Sequence, residues 1–250
     1  MSKAFEGKVV LVTGANSGIG ETAAVRLQEA GATVFGLARR EDALAAARSR
    51  HPRIHWLLAD VTNEAQVTAA VRTAIEEGGR LDVVVNNAGS GTFAPLEQST
   101  AEMVRGQFEV NVFGLTLVTR AALAALKSSR GSIVNIGSAA GHKAMPGGSH
   151  YGATKAAVES LTRSWAVELA PFGVRVNTIA PGPTDTPVFE KLGLPREGVA
   201  AAKAQFVKQV PLGRIASTDE IAHWIVAVAD PSVTWLTGQI LSIDGGMSLT

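Results

Sequence analysis

The chain has 250 residues, of which 46% are hydrophobic and 18% charged, and 23 Lys and Arg against 22 Asp and Glu leave a formal charge of +1. This composition is that of a globular protein, and because no basic stripe stands out we expect no nucleic-acid partner. The absence of cysteine excludes disulfides, thiolate catalysis and cysteine-ligated metals, and it suits the reducing cytosol, so we expect a cytoplasmic protein.

Short β-branched runs alternate with longer amphipathic segments along the whole chain. Strand candidates lie at 9–12, 33–37, 54–58, 83–85, 133–136, 174–177 and 240–243, and helix candidates lie at roughly 18–30, 41–50, 64–78, 101–127, 152–170, 196–209 and 218–229. Continuously apolar strands need cover on both faces, and this alternation implies right-handed crossovers. The pattern predicts a single α/β domain over residues 1–250. The apolar run 224–229 is too short to span a bilayer, and segment 1–8 lacks a signal-peptide core.

A glycine-rich turn follows the first strand and opens the first helix. Its glycines let the backbone approach a pyrophosphate, whose charge then rests on the helix N-terminus. A plain strand-to-helix turn remains the alternative, but the position after a buried strand favours nucleotide binding. The predicted cofactor contacts in this turn are Gly14, Asn16, Ser17, Gly18, Ile19 and Gly20.

The end of the second strand indicates which nucleotide is bound. An acidic residue there would bond the adenosine ribose, whereas an arginine would pair with a 2′-phosphate. The strand runs into Arg39-Arg40 with no acid before Glu41. We therefore favour NADP(H), with Arg39 on the phosphate and Arg40 stacking on adenine. The alternative is that both arginines only solvate the next helix, and the uncharged Ser17 adds no basic group to the turn.

Two further strand ends carry candidate cofactor contacts. Asp60 and Val61 follow the third strand, where the carboxylate could hold the adenine amino group or could instead cap the helix that begins near Asn63. The fourth strand ends in Asn86-Asn87-Ala88-Gly89. The small residues allow close passage of the cofactor, and an Asn side chain can bond neighbouring backbone. Asn87, Ala88 and Gly89 are the predicted contacts.

Tyr151 is the only tyrosine of the chain, and Lys155 follows it by four residues. On a helix these positions share one face, so the phenol and the ammonium can meet in one site. A cation nearby favours the phenolate and lowers the pKa of the tyrosine toward neutrality. The pair is therefore a candidate acid/base, although this spacing more often marks a surface pair.

Taken together, these elements resemble the short-chain dehydrogenase/reductase family over nearly the whole chain. The matching elements are Thr13-Gly14-x-x-x-Gly18-x-Gly20, Asp60, Asn86-Asn87-Ala88-Gly89, Asn111, Ser138, Tyr151-x-x-x-Lys155, Asn177 and Pro181-Gly182-Pro183-Thr184-Asp185-Thr186. The resemblance implies a Rossmann-like, doubly wound sheet of seven parallel strands with helices on both faces. It also implies a homotetramer whose subunits meet near the last strand.

The resemblance assigns Tyr151 as proton donor to a substrate carbonyl, or acceptor from an alcohol. Lys155 would lower the pKa of Tyr151 and bind the nicotinamide ribose, and Ser138 would bond the substrate oxygen. Asn111 would hold a water linking Lys155 to solvent. Two plainer readings stay open: Ser138 could make a turn, and Asn111 could bond backbone at an interruption of its helix.

The segment after the sixth strand carries the remaining predicted contacts, Pro181, Gly182, Thr184 and Thr186, which the resemblance places beside the nicotinamide. A substrate-loop excursion is predicted at about 183–211. Its apolar residues could form a lid or could pack its helices onto the domain; they are Val188, Phe189, Leu192, Leu194, Val199 and Phe206. Its charged residues have the pattern of solvated faces, so we expect an uncharged substrate; they are Lys191, Arg196, Lys203 and Lys208.

We therefore predict an NADP-dependent oxidoreductase that interconverts a small-molecule ketone and alcohol. The alternatives are an NAD-dependent alcohol dehydrogenase of the same fold, or a non-catalytic NADPH-sensing regulator. His142 and His150 lie between Ser138 and Tyr151, where a histidine is usually solvated. Neither has a second histidine at metal spacing, so no metal is assigned.

Overall fold

Strands and helices alternate in the order that the sequence predicts. The structure is a computed structural model and describes residues 3–187, 189 and 196–250. The strands are β1 Val9–Thr13, β2 Thr33–Ala38, β3 His55–Leu58, β4 Val83–Asn86, β5 Ser132–Ile136, β6 Arg175–Pro181 and β7 Ile240–Ile243. The helices are α1 Gly18–Glu29, α2 Glu41–Arg50, α3 Glu64–Gly78, α4 Ala101–Phe108, α5 Leu115–Ser129, α6 Ser149–Leu169, α7 Arg196–Gln209 and α8 Thr218–Ala229.

The seven strands form one parallel sheet in the order β3-β2-β1-β4-β5-β6-β7. One face is covered by α1, α2 and α8, whose buried residues include Leu27, Leu44 and Ile225. The other face is covered by α3, α5 and α6, with Val71 and Leu126 in its core. The predicted doubly wound sheet of seven parallel strands is confirmed. The strand order reverses between β1 and β4, which is where α/β sheets bind ligands.

The predicted helix at 101–127 is two helices, because a π-helical turn, Glu109–Gly114, joins α4 to α5. The whole stretch Ala101–Ser129 is long and apolar enough, by length and composition alone, to cross a membrane, and 39% of its most apolar window is buried here. In α5 the buried residues include Val118, Ala122 and Leu126. Their spacing is that of a helix packed on a sheet by one face.

The segment predicted as a substrate-loop excursion is only partly described. Pro181 belongs to β6, which runs four residues beyond its predicted end, and Thr184 pairs with Ala216 in an isolated bridge. Phe189 is buried, with its ring 5.9 Å from the ring of Phe206 on α7. These two residues of the excursion therefore pack against each other, and whether they pack its helices onto the domain stays a prediction. Other residues of the predicted lid and face lie outside the described residues; they are Val188, Lys191, Leu192, Leu194 and the side chain of Arg196.

Candidate active site

The predicted site residues gather at one edge of the sheet. Parallel strands present all their carboxyl ends at the same edge, so the segments after β1, β2, β3, β4, β5 and β6 converge there. These segments carry most of the predicted contacts. The others are Gly18, Ile19 and Gly20 at the start of α1, Pro181 at the end of β6, and Asn111, Tyr151 and Lys155, which come from the π-helical turn and from α6. The tertiary structure therefore brings together residues that the chain separates by more than a hundred positions.

The glycine turn packs directly against the loop after β4. The Thr13 hydroxyl accepts hydrogen bonds from the backbone N–H groups of Asn87 (3.0 Å) and Ala88 (2.9 Å). The Asn87 amide donates to the carbonyl oxygens of Thr13 (2.9 Å) and Gly14 (3.2 Å). A Cβ at Gly20 would overlap the Asn87 amide, so a glycine is required there for close packing. Asn87 thus holds the glycine turn against the loop after β4, a structural role that is independent of its predicted cofactor contact.

The N-terminus of α1 has the donors that a pyrophosphate needs. Its N-cap, Ser17, makes no side-chain cap hydrogen bond, so no side chain occupies the N–H groups that the first helical turn leaves without intrahelical partners. Gly14 and Gly18 have φ values of +64° and +59°, a conformation that glycine adopts readily. A Cβ built on Gly18 would lie 3.4 Å from Thr186, so the segment after β6 contacts this turn. The residues present fit a dinucleotide.

Arg39 and Asp60 meet across the ends of β2 and β3. Their closest charged atoms, Arg39 Nη1 and Asp60 Oδ2, are 3.6 Å apart, and the Arg39 side chain is 65% exposed. Asp60 Oδ1 accepts from the N–H (3.0 Å) and the hydroxyl (2.8 Å) of Thr62. The alternative that Asp60 caps the next helix is wrong, because Asn63 is the N-cap of α3 and accepts from Gln66 N. Arg40 lies 3.9 Å from Asp42.

Tyr151 and Lys155 lie in the first two turns of α6. The Lys155 ammonium is buried, lies 5.6 Å from the centre of the Tyr151 ring and donates to Ile136 O at 2.8 Å. Burial lowers the pKa of Lys155 to about 8. The sequence predicts a lowered tyrosine pKa, yet burial raises the pKa of Tyr151, and the partial lowering comes from a hydrogen bond with Ser138 rather than from Lys155. The difference arises because burial penalises the charged phenolate more than its neighbours stabilise it.

Ser138 begins a short 3₁₀ helix, Ala139–Gly141, as its N-cap. Its hydroxyl oxygen accepts from Ala140 N at 3.2 Å, which leaves its O–H free to donate elsewhere. Ser138 therefore makes a turn, as the plainer reading has it, and it also partly lowers the pKa of Tyr151. The two readings of this serine are compatible.

Asn111 is buried in the π-helical turn, and its side chain is fully engaged with protein groups. Its Oδ1 accepts from Ser90 N at 2.8 Å, and its Nδ2 donates to Ser90 O (2.8 Å) and to Thr154 Oγ1 (2.9 Å). These bonds match the plainer reading, an asparagine that bonds backbone at a helix interruption. The same bonds join the loop after β4, which carries Ser90, to α6, where Thr154 immediately precedes Lys155.

Two residues of this region, Phe93 and Asp244, were not singled out by the sequence. The Phe93 ring lies 5.4 Å from the Tyr151 ring in an edge-to-face arrangement. On the far side of the site, a Cβ at Gly182 would lie 2.7 Å from Asp244 Cα, so the loop after β7 supports the segment after β6. Thr184 is buried and donates to Gly182 O at 3.0 Å.

His142 is exposed to solvent but also contacts two other elements through its ring. Its Nδ1 lies 2.7 Å from Glu159 Oε1 on α6, and its Nε2 lies 3.1 Å from Ser242 Oγ on β7. Glu159 is buried. No sequence pattern joins these three residues, because they come from three separate elements. The His150 Nε2 atom is buried and has no hydrogen-bond partner among the described residues.

Comparison with known proteins defines the class. A family model described as "Enoyl-(Acyl carrier protein) reductase" matches residues 14–248. The chain is 37% identical to the 3-oxoacyl-(acyl-carrier-protein) reductase FabG of Thermotoga maritima, covering 97% of this chain and 98% of the relative. It is 39% identical to cis-4-hydroxycyclohexanecarboxylate dehydrogenase of Sinomonas cyclohexanicum, covering 98% of each, and 37% identical to cyclopentanol dehydrogenase of Comamonas sp., covering 96% of each.

A solved structure agrees. The 3-ketoacyl-(acyl-carrier-protein) reductase from Brucella melitensis, complexed with NADH, superposes with a TM-score of 0.90 at 32% identity, covering 97% of this chain and 99% of that one. The fold and these matches define an oxidoreductase of the class that binds a nicotinamide cofactor. The chain belongs to the short-chain dehydrogenase/reductase family.

Proposed function

We propose that this protein transfers hydride reversibly between NADP(H) and an uncharged ketone or secondary alcohol. The observation that carries the proposal is the meeting of Tyr151, Ser138 and Lys155 at the edge of the sheet that carries the glycine turn. When bound, the cofactor supplies or accepts the hydride. The chain's own residues then handle the substrate oxygen and its proton.

Each of the three residues has a role that its environment supports. The raised pKa of Tyr151 keeps its hydroxyl protonated near neutrality, as a proton donor to a carbonyl oxygen requires. The free O–H of Ser138 would stabilise negative charge that develops on that oxygen. Lys155 is oriented by Ile136 O and would hold the nicotinamide ribose. Asn111 and Thr154 support Lys155 by fixing the start of α6 against the loop after β4.

The preference for NADP(H) rests on Arg39. Its guanidinium is exposed at the end of β2, where a 2′-phosphate would lie, and no acidic side chain precedes Glu41 on that strand. NADH is the second candidate, favoured by the bound NADH of the Brucella melitensis relative and by the proximity of Asp60, whose charge offsets part of that of Arg39.

The Phe93 ring beside Tyr151 supports an apolar substrate. The names of two relatives, cyclopentanol dehydrogenase and cis-4-hydroxycyclohexanecarboxylate dehydrogenase, place secondary alcohols on rings within the range of this family. We expect cyclopentanone to be reduced faster than 4-oxocyclohexanecarboxylate, whose carboxylate has no predicted clamp.

Replacing Tyr151 by Phe tests the proposal. The variant keeps the ring and loses the proton donor, so we expect kcat to fall by at least about 100-fold while the dissociation constant of NADPH stays within about twofold. Steady-state assays over a ketone panel and fluorescence titration with NADPH measure the two quantities. Near-normal turnover by this variant would overturn the assignment.

A further inference from the structure

Ser138 and His142 are parts of one tight turn. The backbone N–H of Gly141 donates to Ser138 O at 2.9 Å, and Ala139 O accepts from His142 N (3.2 Å) and Lys143 N (2.9 Å). Since these bonds leave little freedom between the two ends of the turn, a shift of His142 moves Ser138 with it.

This turn lies against α6 through glycines. A Cβ on Gly141 would lie 2.7 Å from Glu159 Oε1, and a Cβ on Gly152 would lie 2.6 Å from Ala140 O. The glycines bring the two surfaces very close but contribute no interlocking side chains. Besides the buried Ala139, side-chain bonds at the end of the turn help to fix its orientation on α6.

The His142 imidazole provides those bonds. Its Nδ1 is 2.7 Å from Glu159 Oε1, and its Nε2 is 3.1 Å from Ser242 Oγ. Glu159 follows Lys155 by four residues on α6, so its carboxylate lies on the face of the helix that carries Tyr151 and Lys155. Glu159 is also 3.5 Å from Arg163, which holds the carboxylate from the other side.

We propose that His142 is a positioning residue for proton transfer: held between Glu159 and Ser242, it sets the distance between the Ser138 and Tyr151 hydroxyls. The inference rests on the proposed function. Because a misplacement of about 1 Å at a reacting group can lower turnover roughly 100-fold, loosening this turn reduces kcat without touching substrate or cofactor.

A double-mutant cycle between His142→Ala and Ser138→Ala tests the inference, with NADPH oxidation on the best-reduced ketone of the panel as the assay. We expect His142→Ala to lower kcat about 10-fold or more in the wild-type background, with the KM for NADPH unchanged. In the Ser138→Ala background the same change should lower kcat by less than about twofold, because the hydroxyl it positions is gone. A general loss of structure would instead act equally in both backgrounds. His223→Ala, at an exposed position on α8, is the matched control and should leave kcat unchanged.

Ser242→Ala covers the case in which His142→Ala does not fold. It removes one of the two contacts of the His142 ring, at an exposed position of β7. We expect it to lower kcat less than His142→Ala does, and we expect this loss to disappear in the Ser138→Ala background. Equal losses in both backgrounds, or no loss in the wild type, would overturn the role of His142. Near-normal turnover by Ser138→Ala alone would overturn the proposed function instead.

Discussion

Lys155 shows how burial alone tunes a side chain of this site. Burial lowers its pKa to about 8 from the ordinary 10.5, because a low-dielectric environment penalises the ammonium. Between about pH 8 and pH 10.5, Lys155 is therefore mostly protonated in the unfolded chain and mostly deprotonated in the folded chain. Unfolding there takes up a proton, so this residue makes the fold more stable as pH rises from 8 toward 10.5. Below pH 8 the buried charge costs stability.

Lys155→Met removes this titration. Relative to the variant, the wild type should gain free energy of unfolding between pH 8 and pH 10, on the order of 1–3 kcal/mol. Urea denaturation at several pH values measures the difference, and Lys208→Met, at an exposed position of α7, is the control for the loss of a lysine. If the wild type and Lys155→Met follow parallel curves over this range, the ammonium does not titrate near pH 8.

Arg39 is the residue on which cofactor choice rests. Arg39→Asp should weaken NADPH binding by about tenfold or more, roughly 1.4 kcal/mol, and strengthen NADH binding, because a carboxylate repels a 2′-phosphate and accepts from ribose hydroxyls. Titration with each cofactor measures the ratio of the NADPH and NADH dissociation constants. Arg48→Asp makes the same charge change at an exposed position of α2 and should alter the ratio little. A wild type that binds NADH ten times more tightly than NADPH would contradict the preference.

At the scale of elements, α2 is tied to the glycine turn by its last residue. Arg50 donates to Glu21 Oε1 on α1 at 2.9 Å and to Asn16 O in the turn at 3.2 Å. His51 Nε2 lies 2.8 Å from the same Glu21 oxygen. Arg50, Glu21 and His51 therefore hold the glycine turn from outside the cofactor site. Within this cluster, the negative charge of Glu21 largely offsets the positive charge of Arg50.

Arg50→Ala should loosen the turn and weaken NADPH and NADH binding by the same factor, about 3- to 10-fold for one charge-assisted contact. Equal losses of affinity for the two cofactors would distinguish this effect from that of Arg39→Asp, which changes the ratio of the NADPH and NADH dissociation constants. Isothermal titration with each cofactor measures it, and Arg48→Ala on the same helix is the control. A loss confined to NADPH would show instead that Arg50 acts on the 2′-phosphate through its charge.

At the scale of the whole molecule, large apolar side chains are exposed on α8 and in the segments before and after β7, which is an edge strand of the sheet. Trp224 on α8 is 43% exposed, and Trp235 and Leu249 also face outward. Within the apolar run 224–229, Val228 is buried in the core, whereas Trp224 is exposed. With the family resemblance, this exposure leads us to expect assembly through that edge.

We expect light scattering to give about four times the 25.9 kDa of one chain. Trp224→Glu should reduce this mass, because a carboxylate is costly in an apolar interface. Leu58→Glu is the control, since Leu58 is exposed on β3 at the opposite edge of the sheet and should leave the mass unchanged. A monomeric wild type would contradict the expectation.

The sequence by itself determined the class of fold, the order of its elements and the position of each motif along the chain. These properties are local: hydrophobic periodicity gave all seven strands to within a few residues, and glycine, tyrosine and lysine spacing depends on near neighbours. The interruption at Glu109–Gly114 was present only as an alternative at Asn111, because a π-helical turn has no distinct periodicity and here forms around the bonds of Asn111 to Ser90 and Thr154.

Only the tertiary structure decided which side chains pair. Arg39 with Asp60 and His142 with Glu159 and Ser242 join residues 21, 17 and 100 positions apart. It likewise decided that Tyr151 has a raised pKa and that Lys155 bonds Ile136 O rather than the phenol. The physical reason is that burial and hydrogen-bond partners are set by how separate elements pack, and no local pattern contains that information.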